Sequence, residues 1–545
     1  MKQAIKCLLC TLCAAFAMGV SAFAQVTTSS MSGSVTDNAG EPVVGVAVVA
    51  THVPSGTVYG GITNENGRYA INGMRSGGPY KVEVSCLGYQ TVIYTDVTLQ
   101  LGDSYALNAR MNDDKEMLSE ALVVGEAASK FAGEKTGAAT NISSSQIESL
   151  PTVSRSIEDI ASLSPYGGNG MSFGGSDGRS SNFTVDGANF NNNFGLNPGL
   201  PGGGSPISID AIEEVQVVVA PFDVRQSNFI GGGMNAITKS GTNTFKGSAY
   251  VYHSNENMRG NKAGETEVSG ARDKDRSTTY GFTLGGPIVK DKLFFFVNFE
   301  YSKVPTVVNR WRASEDGVGD KDAFISRTKI KDMETVRDFL AKNYGYDTGS
   351  FTDYPADESN MKILARIDWN INENHNLAVR YNYTLAKEWQ ATNGNSVNAG
   401  YRHRGYDRLS QYSMAFANSM YTQDHLVNSF SVDLNSRFGA NLSNQLLVTF
   451  SKLDDMRGSP SAKFPHIDIM NGYTTDAEGN VTQDLTPYMT AGYELFTWNN
   501  GVHNNAITAK DDITYYAGNH KVTAGVSYDY QMADNSYMRN GTGYY

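Results

Sequence analysis

The chain has 545 residues, several times the size of one ordinary domain, so it should contain several units with separate cores. Its 44 basic and 56 acidic residues give a formal charge of −12, so no basic surface is available to neutralise a phosphate backbone, and we expect no nucleic-acid partner. Only 18% of the residues are charged, and 56 glycines and 30 tyrosines favour β structure with many turns.

The first 24 residues have the pattern of a cleaved secretory signal. Two lysines precede an apolar run from Leu8 to Val20, and a small-residue site from Ala22 to Ala24 precedes Gln25. The run is too short for a helix that crosses a hydrocarbon layer about 30 Å thick. In the mature chain Cys86 is then the only cysteine, so no internal disulfide is expected. No later segment is apolar enough for a spanning helix, so a membrane location would require a barrel.

Residues 31–111 are predicted to form a small β-sandwich. Short β-prone runs are separated by turn pairs such as Asn66-Gly67 and Gly77-Gly78. The seven runs are Met31 to Thr36, Val43 to Ala50, Val58 to Thr63, Tyr69 to Ile71, Tyr80 to Ser85, Gln90 to Tyr94 and Tyr105 to Met111. So many strands in so short a segment are typical of a sandwich. The string SGSVTDNAGEPVVGVAVVATHVPSGTVYGGITNENGRYAINGM resembles the carboxypeptidase regulatory-like (prealbumin-like) domain family.

Residues 112–130 form a charged linker that carries one short β-prone run. The run consists of Glu120, Ala121, Leu122, Val123, Val124 and Gly125. An exposed run of this kind offers backbone groups that can pair with a strand of another protein.

Residues 131–240 combine a helical patch, from Ser156 to Leu163, with long loops rich in glycine, asparagine and serine. Such loops rarely order themselves in a free-standing domain, so an enclosing wall is expected. Three strand motifs follow in order, namely Phe183 to Gly187, Ile212 to Val219 and Gly231 to Lys239. Their sequence and order resemble the plug domain of TonB-dependent outer-membrane receptors. The segment from Ala220 to Asp223 departs from the pattern of many relatives, which leaves the geometry of that loop open.

Residues 241–545 contain alternating runs that predict the first part of an outer-membrane barrel. In the run from Leu293 to Tyr301, apolar side chains occupy the odd positions, while Asn298 and Glu300 occupy even ones. Each run is about as long as a tilted strand that crosses a bilayer. Connections are alternately short and long, which is typical of outer-membrane barrels rather than of a soluble sandwich or propeller. This asymmetry puts the segment from Ser410 to Tyr421 in a loop.

The alternating runs amount to about nine strands, whereas transporters whose lumen holds a plug have ~22. We therefore expect the chain to be C-terminally truncated, with more than half of the barrel missing. The predicted fold class is mainly β: a prealbumin-like β-sandwich, a small α+β plug domain and an incomplete antiparallel transmembrane β-barrel.

The sequence offers no catalytic arrangement. His253 and Glu256 have the His-x-x-Glu spacing of zinc carboxypeptidases, but zinc sites need three converging ligands. The glycines from Gly168 to Gly170 and from Gly202 to Gly204 lack the strand-to-helix setting of a nucleotide-binding loop. Relatives of the regulatory-like domain also contribute no catalytic residues. We therefore expect no enzyme, no cofactor and no metal site.

The resemblance to TonB-dependent receptors, and to their SusC/RagA and Oar-like branches in particular, implies a receptor in the outer membrane. Such a receptor binds a bulky solute at the cell surface and imports it into the periplasm. The implied partners are TonB with the inner-membrane energising complex, outer-membrane lipid and a substrate-binding surface lipoprotein. The run from Glu120 to Gly125 would be the TonB-coupling strand, and the sandwich would lie in the periplasm. The alternative is a surface adhesion or structural protein that uses the barrel as an anchor, and the nature of the solute stays open.

Polar contacts between plug and wall are predicted from the alternation along the strands. Charges that alternate with lipid-facing residues such as Ile367 and Val379 should point into the lumen. These wall residues are Arg366, Asp368, Arg380 and Asp433. Their expected partners flank the plug-like strands and are Asp186, Glu213, Glu214 and Arg225. We expect exposed ion pairs worth ~0 to 1 kcal/mol each, which can rearrange at modest cost.

Overall fold

The computed structural model has three regions in chain order, a sandwich, a plug and a barrel wall. It describes residues 26–113, 122–124, 138–149, 155–168, 170–191, 200–202, 204–219, 221, 223–226, 229–258, 260, 262–267, 276–305, 308–355, 357–393, 408–475, 478–483, 486–518 and 520–545. The predicted signal, residues 1–24, lies outside the described residues.

The N-terminal region is a sandwich of two sheets, as predicted. Its strands are β1 (Ser29–Thr36), β2 (Ala47–His52), β3 (Thr57–Ile62), β4 (Arg68–Met74), β5 (Gly77–Ser85), β6 (Val92–Leu99), β7 (Ser104–Ala106), β8 (Ala109–Arg110) and β9 (Leu122–Val124). One sheet has the order β4-β1-β7, with β8 also paired to β1, and the other has the order β3-β2-β5-β6-β9. Because strand side chains alternate between faces, residues such as Met31, Val48 and Val82 meet in one core between the sheets.

Two predicted strands of the sandwich are shortened or interrupted by irregular backbone in the structure. The strand predicted from Val43 begins only at Ala47, because Gly45 lies in a turn with φ +75°. The strand predicted from Tyr105 to Met111 is interrupted, and its two parts pair separately with β1. Apolar residues continue through both irregularities, so the hydrophobic pattern alone does not reveal them.

Strand β9 forms an edge of the sandwich, and it runs parallel to the stretch from Val92 to Tyr94 in β6. The centre of the predicted coupling run is therefore paired rather than free. The other members of that run lie outside the described residues, and they are Glu120, Ala121 and Gly125.

The plug is a small α+β unit, as predicted. It contains β10 (Ala138–Ser143), α1 (Ser144–Ser149), α2 (Ile157–Ala161), β11 (Asn182–Val185), β12 (Ala188–Asn189), β13 (Ile212–Val219) and β14 (Gly233–Thr238). The strand order is β10-β13-β14-β11-β12, and β11 runs parallel to β14. Helix α2 begins after Ser156, whose hydroxyl accepts a hydrogen bond from the backbone N–H of Asp159. Phe173, Phe183 and Phe190 are fully buried in the core of the plug.

The barrel region contains long wall strands and shorter strands in the connections. In chain order these elements are β15 (Lys246–Ser254), β16 (Lys262–Ala263), β17 (Thr266–Glu267), β18 (Ser277–Val289), β19 (Leu293–Lys303), β20 (Arg312–Ser314), β21 (Ile325–Lys329), α3 (Ile330–Tyr344), β22 (Ser359–Asn372), β23 (His375–Gln390), β24 (Met414–Ala415), β25 (Tyr421–Phe438), β26 (Leu442–Gly458), β27 (Ile467–Met470), β28 (Tyr473–Thr475), β29 (Val481–Gln483), β30 (Pro487–Ala491), β31 (Gly501–Ala517) and β32 (His520–Ser536).

The wall is one antiparallel sheet with the order β15-β18-β19-β22-β23-β25-β26-β31-β32. Across the residues that the structure describes, the end strands β15 and β32 do not pair with each other, so the barrel is not closed. Outward-facing apolar side chains include Ile367 and Phe430, whereas the alternating neighbours of each are buried on the opposite face of the wall. The predicted alternation of lipid-facing and lumen-facing residues is confirmed by this pattern.

The long connections fold together into a unit that we call the cap, formed by helix α3 and the strands β20, β21, β24, β27 and β30. Strand β30 lies between β24 and β27. Met333, Phe351 and Phe416 lie in an apolar core that these connections share. The segment from Ser410 to Tyr421 lies in the cap, apart from Tyr421, which begins β25. Within the described part of the chain, no helix is long and apolar enough to cross a membrane.

Candidate functional site

Asp186 lies on the plug in the turn between β11 and β12, where its φ is +50°. Aspartate tolerates this left-handed backbone better than most residues do. Strand β14 fixes the carboxylate, because Oδ1 accepts the backbone N–H of Thr238 at 3.1 Å and Oδ2 accepts its hydroxyl at 2.7 Å. The plug thus presents a rigid carboxylate to the wall.

Two arginines of the wall approach this carboxylate. Arg366 in β22 and Arg380 in β23 are directly opposite each other in the register. Like charges opposite each other destabilise a strand pair unless a counter-charge lies between them. Asp186 provides that charge, since its Oδ1 lies 3.3 Å from Nε of Arg380 and 3.9 Å from Nη1 of Arg366. Arg366 also donates through Nη1 to the carbonyl oxygen of Thr238 at 2.6 Å.

Two wall aspartates continue the alternation of charge. Asp368 binds Arg366 through two hydrogen bonds of 2.8 Å, from Nε to Oδ2 and from Nη2 to Oδ1. Asp433 in β25 places Oδ2 3.6 Å from Nη1 of Arg380. Each arginine therefore has a carboxylate on either side, one from the plug and one from the wall.

The sandwich contacts both ends of this arrangement. Nη2 of Arg75 lies 3.3 Å from Oδ1 of Asp368, and the hydroxyl of Thr27 donates to Oδ2 of Asp433 at 2.6 Å. Six charged side chains thus alternate in sign across three regions of the molecule. We call them the charge chain, which in order consists of Arg75, Asp368, Arg366, Asp186, Arg380 and Asp433.

Burial distinguishes the charge chain from the exposed ion pairs expected from the sequence, and that expectation is wrong. The side chain of Asp186 is 3% exposed and that of Asp433 is 1% exposed, because the sandwich covers the plug and wall at this end. Taking one partner out of a buried ion pair typically costs about 3–5 kcal/mol, far more than at an exposed pair. The contact is therefore strong while complete and sensitive to the loss of any member.

The other predicted plug residues lie elsewhere around the same region. Glu214 was expected to face the wall, but it contacts the sandwich, where its carboxylate accepts the backbone N–H of Leu101 at 3.0 Å and a hydrogen bond from Ser76. A register shift in β13 between Ile212 and Glu214 changes the direction of its side chain relative to a regular strand.

Glu213 and Arg225 lie beside two separate cavities. Glu213 is half-buried, and burial raises its pKa above the usual value despite the positive charges of Lys239 and Arg366. Arg225 pairs within the plug, with Nη2 2.7 Å from Oδ2 of Asp223. The wall carboxylate of Asp512 lines the same small cavity as Arg225.

A second polar contact between plug and wall was not predicted. Glu300 in β19 accepts hydrogen bonds from Lys362 at 2.9 Å, from Tyr250 at 2.9 Å and from Ser208 of the plug at 3.0 Å. The plug residue Arg155 lies 3.8 Å from the same carboxylate. The alternation in β19 does place Glu300 on the lumen face, but nothing in the sequence of the plug loops identifies its partners.

A polar cavity of about 690 Å³ lies where sandwich, plug and wall meet. Its lining includes Arg75 and His52 from the sandwich, Glu213 from the plug, and Arg366 and Asp433 from the wall. Water in such a cavity can solvate buried charges that lack a full set of protein partners. The charge chain therefore lies against a space into which its members could move.

The histidine that has the His-x-x-Glu spacing of zinc carboxypeptidases contacts a neighbouring strand of the wall. His253 lies at the outer end of β15, with Nδ1 2.9 Å from the hydroxyl of Thr278 on β18. In the described ranges, no group of three histidine, cysteine, aspartate or glutamate side chains could hold a metal ion.

The wall sequence matches a protein-family model described as an outer membrane beta barrel domain over residues 237–310 and 335–545, which is just over half of the chain. The chain belongs to this outer membrane β-barrel family. As a family member it is located in the outer membrane. The carboxypeptidase regulatory-like domain model matches residues 30–112 of this β-barrel protein, which confirms the resemblance of the sandwich.

The β-barrel protein is also similar to the TonB-dependent transporter Oar of Myxococcus xanthus. The two are 27% identical over 393 residues, which cover 67% of this chain and 34% of Oar. The chain thus spans about a third of the length of this relative. The match confirms the resemblance to TonB-dependent transporters, which are not enzymes.

Two solved structures align with much of this chain at low sequence identity. A variant of the ferric enterobactin receptor PfeA of Pseudomonas aeruginosa aligns with 74% of this chain and 50% of its own, at 15% identity and a TM-score of 0.43. The outer membrane transporter YddB of Escherichia coli aligns with 72% of this chain and 48% of its own, at 12% identity and a TM-score of 0.46.

Proposed function

We propose that this protein is an energy-coupled importer, which binds a bulky solute at the cell surface and passes it to the periplasm by rearrangement of the plug. The observation that carries the proposal is the charge chain, because it attaches the plug to the wall by polar contacts around Asp186. Buried ion pairs are often no more stabilising than the apolar residues that could replace them, but they fix one arrangement of the parts. Such contacts therefore suit a plug that is held in one position and must also be able to leave it.

TonB is the proposed source of energy, and β9 is its proposed site of action. A partner strand that adds to a sheet gains main-chain hydrogen bonds, and β9 is an edge strand of the β3-β2-β5-β6-β9 sheet. The relative Oar is named as TonB-dependent, which favours the same coupling for this chain. A surface lipoprotein that delivers the solute is a further proposed partner, and the bulk of the cap suits a large solute or such a lipoprotein.

The coupling proposal is tested by binding of the purified periplasmic domain of TonB to the intact protein. Val123→Pro removes a backbone donor from β9, whereas Val123→Ala keeps the donor and serves as the matched control. We expect the proline variant to lose binding and the alanine variant to retain it. Equal binding by both variants would refute the assignment of β9 as the coupling strand.

The adhesion alternative rests on the cap, which has an apolar core of its own and so can act as a separate binding unit. An adhesin would need the barrel only as an anchor, so its plug would not have to move. Tight binding of a surface ligand without energy-dependent accumulation of that ligand in the periplasm would favour this alternative.

A further inference from the structure

The corner between β4 and β5, residues 72–76, is the part of the sandwich that reaches into the wall. Asn72 donates through Nδ2 to the hydroxyl of Ser443 at 2.9 Å and accepts from the hydroxyl of Tyr516 at 2.8 Å. Arg75 reaches further, to Asp368 at 3.3 Å and to the hydroxyl of Ser240 at 2.9 Å. The corner joins the two sheets of the sandwich, so its position is fixed by both.

The opposite end of the charge chain is also bound by the N-terminal region. Thr27 donates to Asp433 at 2.6 Å and accepts from Nε2 of the wall residue Gln445 at 2.7 Å. The segment before β1 and the corner after β4 therefore bind the two terminal carboxylates of the charge chain. Both contacts break together if the sandwich moves away as one body.

The charges of the chain balance only when the sandwich is present. With Arg75 the chain contains three arginines and three aspartates, whereas without it two arginines face three carboxylates. An uncompensated charge in a buried cluster is costly, so the remaining members would separate or admit water. Removal of the sandwich should therefore weaken the contact between plug and wall, although the other charged residues of that contact lie on the plug and the wall themselves.

We propose that the N-terminal sandwich holds the plug in place through Arg75 and Thr27, and that it must leave the wall before the plug can move. The inference rests on the proposed function for the source of the force. Strand β9 pairs with β6, so a partner that pulls on β9 pulls the sandwich first. The sandwich is then a positioning unit that acts on the plug through the wall charges rather than a passive extension.

The first test replaces Arg75 in the intact protein. Purified protein in planar lipid bilayers is titrated with urea, and channel openings are recorded as KCl currents. Arg75→Gln should open about tenfold more often than the unmodified protein at the same urea concentration. Arg75→Lys keeps the positive charge, so it should open nearly as seldom as the unmodified protein. Arg68→Gln is the matched control, because Arg68 is exposed and begins β4, the strand that leads into the corner with Arg75. Equal opening of the Arg75→Gln and Arg68→Gln variants would overturn the proposal.

The second test ties the sandwich to the wall without altering the charge chain. Asn72→Cys and Ser443→Cys are introduced together with Cys86→Ser and joined by a short thiol crosslinker. We expect the crosslinked protein to show almost no KCl openings, and the unlinked double variant, which has lost contacts of Asn72 with the wall, to open at least as often as the unmodified protein. If the crosslinked protein opens as often as the unlinked one, the sandwich need not leave and the proposal is wrong. Neither test uses TonB or a solute, so a failure of TonB binding to β9 would leave both results interpretable.

Discussion

Two parts of the molecule, the cap and the wall, each contain a buried arginine–aspartate pair, but the surroundings of the two pairs differ. In the cap, Arg408 binds Asp468 through two hydrogen bonds of 2.9 and 2.7 Å, beside a core of apolar side chains. Burial alone would raise the pKa of Asp468, but the hydrogen bonds from Arg408 and the nearby imidazole of His466, with Nε2 3.7 Å from Oδ1, hold it well below its usual range. In the wall, Arg366 binds Asp368 in the same bidentate way, but the next neighbours of that pair are further charges.

The difference shows how one kind of contact can serve two purposes. Apolar burial stabilises in proportion to area, so the apolar core still holds the parts of the cap together when its ion pair is broken, although the loss of that pair is costly. In the charge chain each side chain compensates its neighbours, so the loss of one member leaves another buried and unpaired. The cap should therefore behave as one permanent unit, whereas the plug can be freed by moving a single component.

The largest effect is expected from Asp186→Asn, which removes the charge shared by Arg366 and Arg380. The loss should weaken the attachment of the plug by about 3–5 kcal/mol. The urea concentration at which KCl channels open in planar bilayers should fall accordingly. Asp177→Asn is the control, because the carboxylate of Asp177 is exposed on the plug and pairs with Arg179 on the surface. An equal fall in both variants would remove the distinction between the charge chain and a surface ion pair.

The matching change in the cap is Arg408→Met, which leaves Asp468 buried without its guanidinium partner. We expect the cap to lose about 3–5 kcal/mol of stability and to be cleaved faster by protease added to whole cells. The urea dependence of channel opening should stay that of the unmodified protein. Lys331→Gln, on the exposed part of α3, serves as the control for cleavage. If Arg408→Met lowers the urea concentration for channel opening as much as Asp186→Asn does, the cap and the charge chain are not independent.

A smaller effect is expected from pH on the sandwich side of the cavity. Burial, with a contribution from the charge of Arg75, lowers the pKa of His52 from 6.5 to about 3. The unfolded chain binds this proton as the pH falls through 6.5, while the folded sandwich does not until about pH 3. Stability is therefore constant above that window and falls within it, by about 2 kcal/mol at roughly pH 5.

The measurement is hydrogen exchange of the sandwich strands at near-neutral pH and at roughly pH 5, after correction for intrinsic exchange rates. His52→Gln removes the titrating group, so its protection should change less between the two conditions. An acid-induced loss of protection that is as large in His52→Gln as in the unmodified protein would assign the effect to another group.

The smallest effect is expected from Lys81→Gln in the sandwich. Nζ of Lys81 lies 2.6 Å from the carboxylate of Glu83, which is shorter than any distance in the charge chain, but both side chains are more than 40% exposed. The variant should change stability by about 0–1 kcal/mol in thermal unfolding. A loss comparable to that of Asp186→Asn would mean that distance rather than burial decides the strength of these contacts.

Sequence patterns predicted the parts of this fold that depend on local repetition. Alternation along β22 and β23 places Arg366 and Arg380 on the lumen side, because a strand has a period of two residues. The plug motif around Asp186 was identified differently, by its resemblance to the plug domain of TonB-dependent receptors. Arg75 could not be identified, since its role depends on contacts between regions about 290 residues apart in the chain, which no local pattern encodes. The misassigned direction of Glu214 arises from a register shift, which an apolar run does not reveal either.

The most direct test of the account is a crosslink between plug and wall at the centre of the charge chain. Asp186→Cys and Arg380→Cys, in the intact protein with Cys86→Ser, remove one charge of each sign and are joined by a thiol crosslinker that spans the length of an arginine side chain. We predict efficient crosslinking in outer membranes and loss of urea-induced KCl channels in the crosslinked protein, whereas each single-cysteine variant should open its channels at a lower urea concentration than the unmodified protein. A correctly inserted protein that fails to crosslink, or that opens its channels while crosslinked, would contradict the placement of the plug against these wall residues.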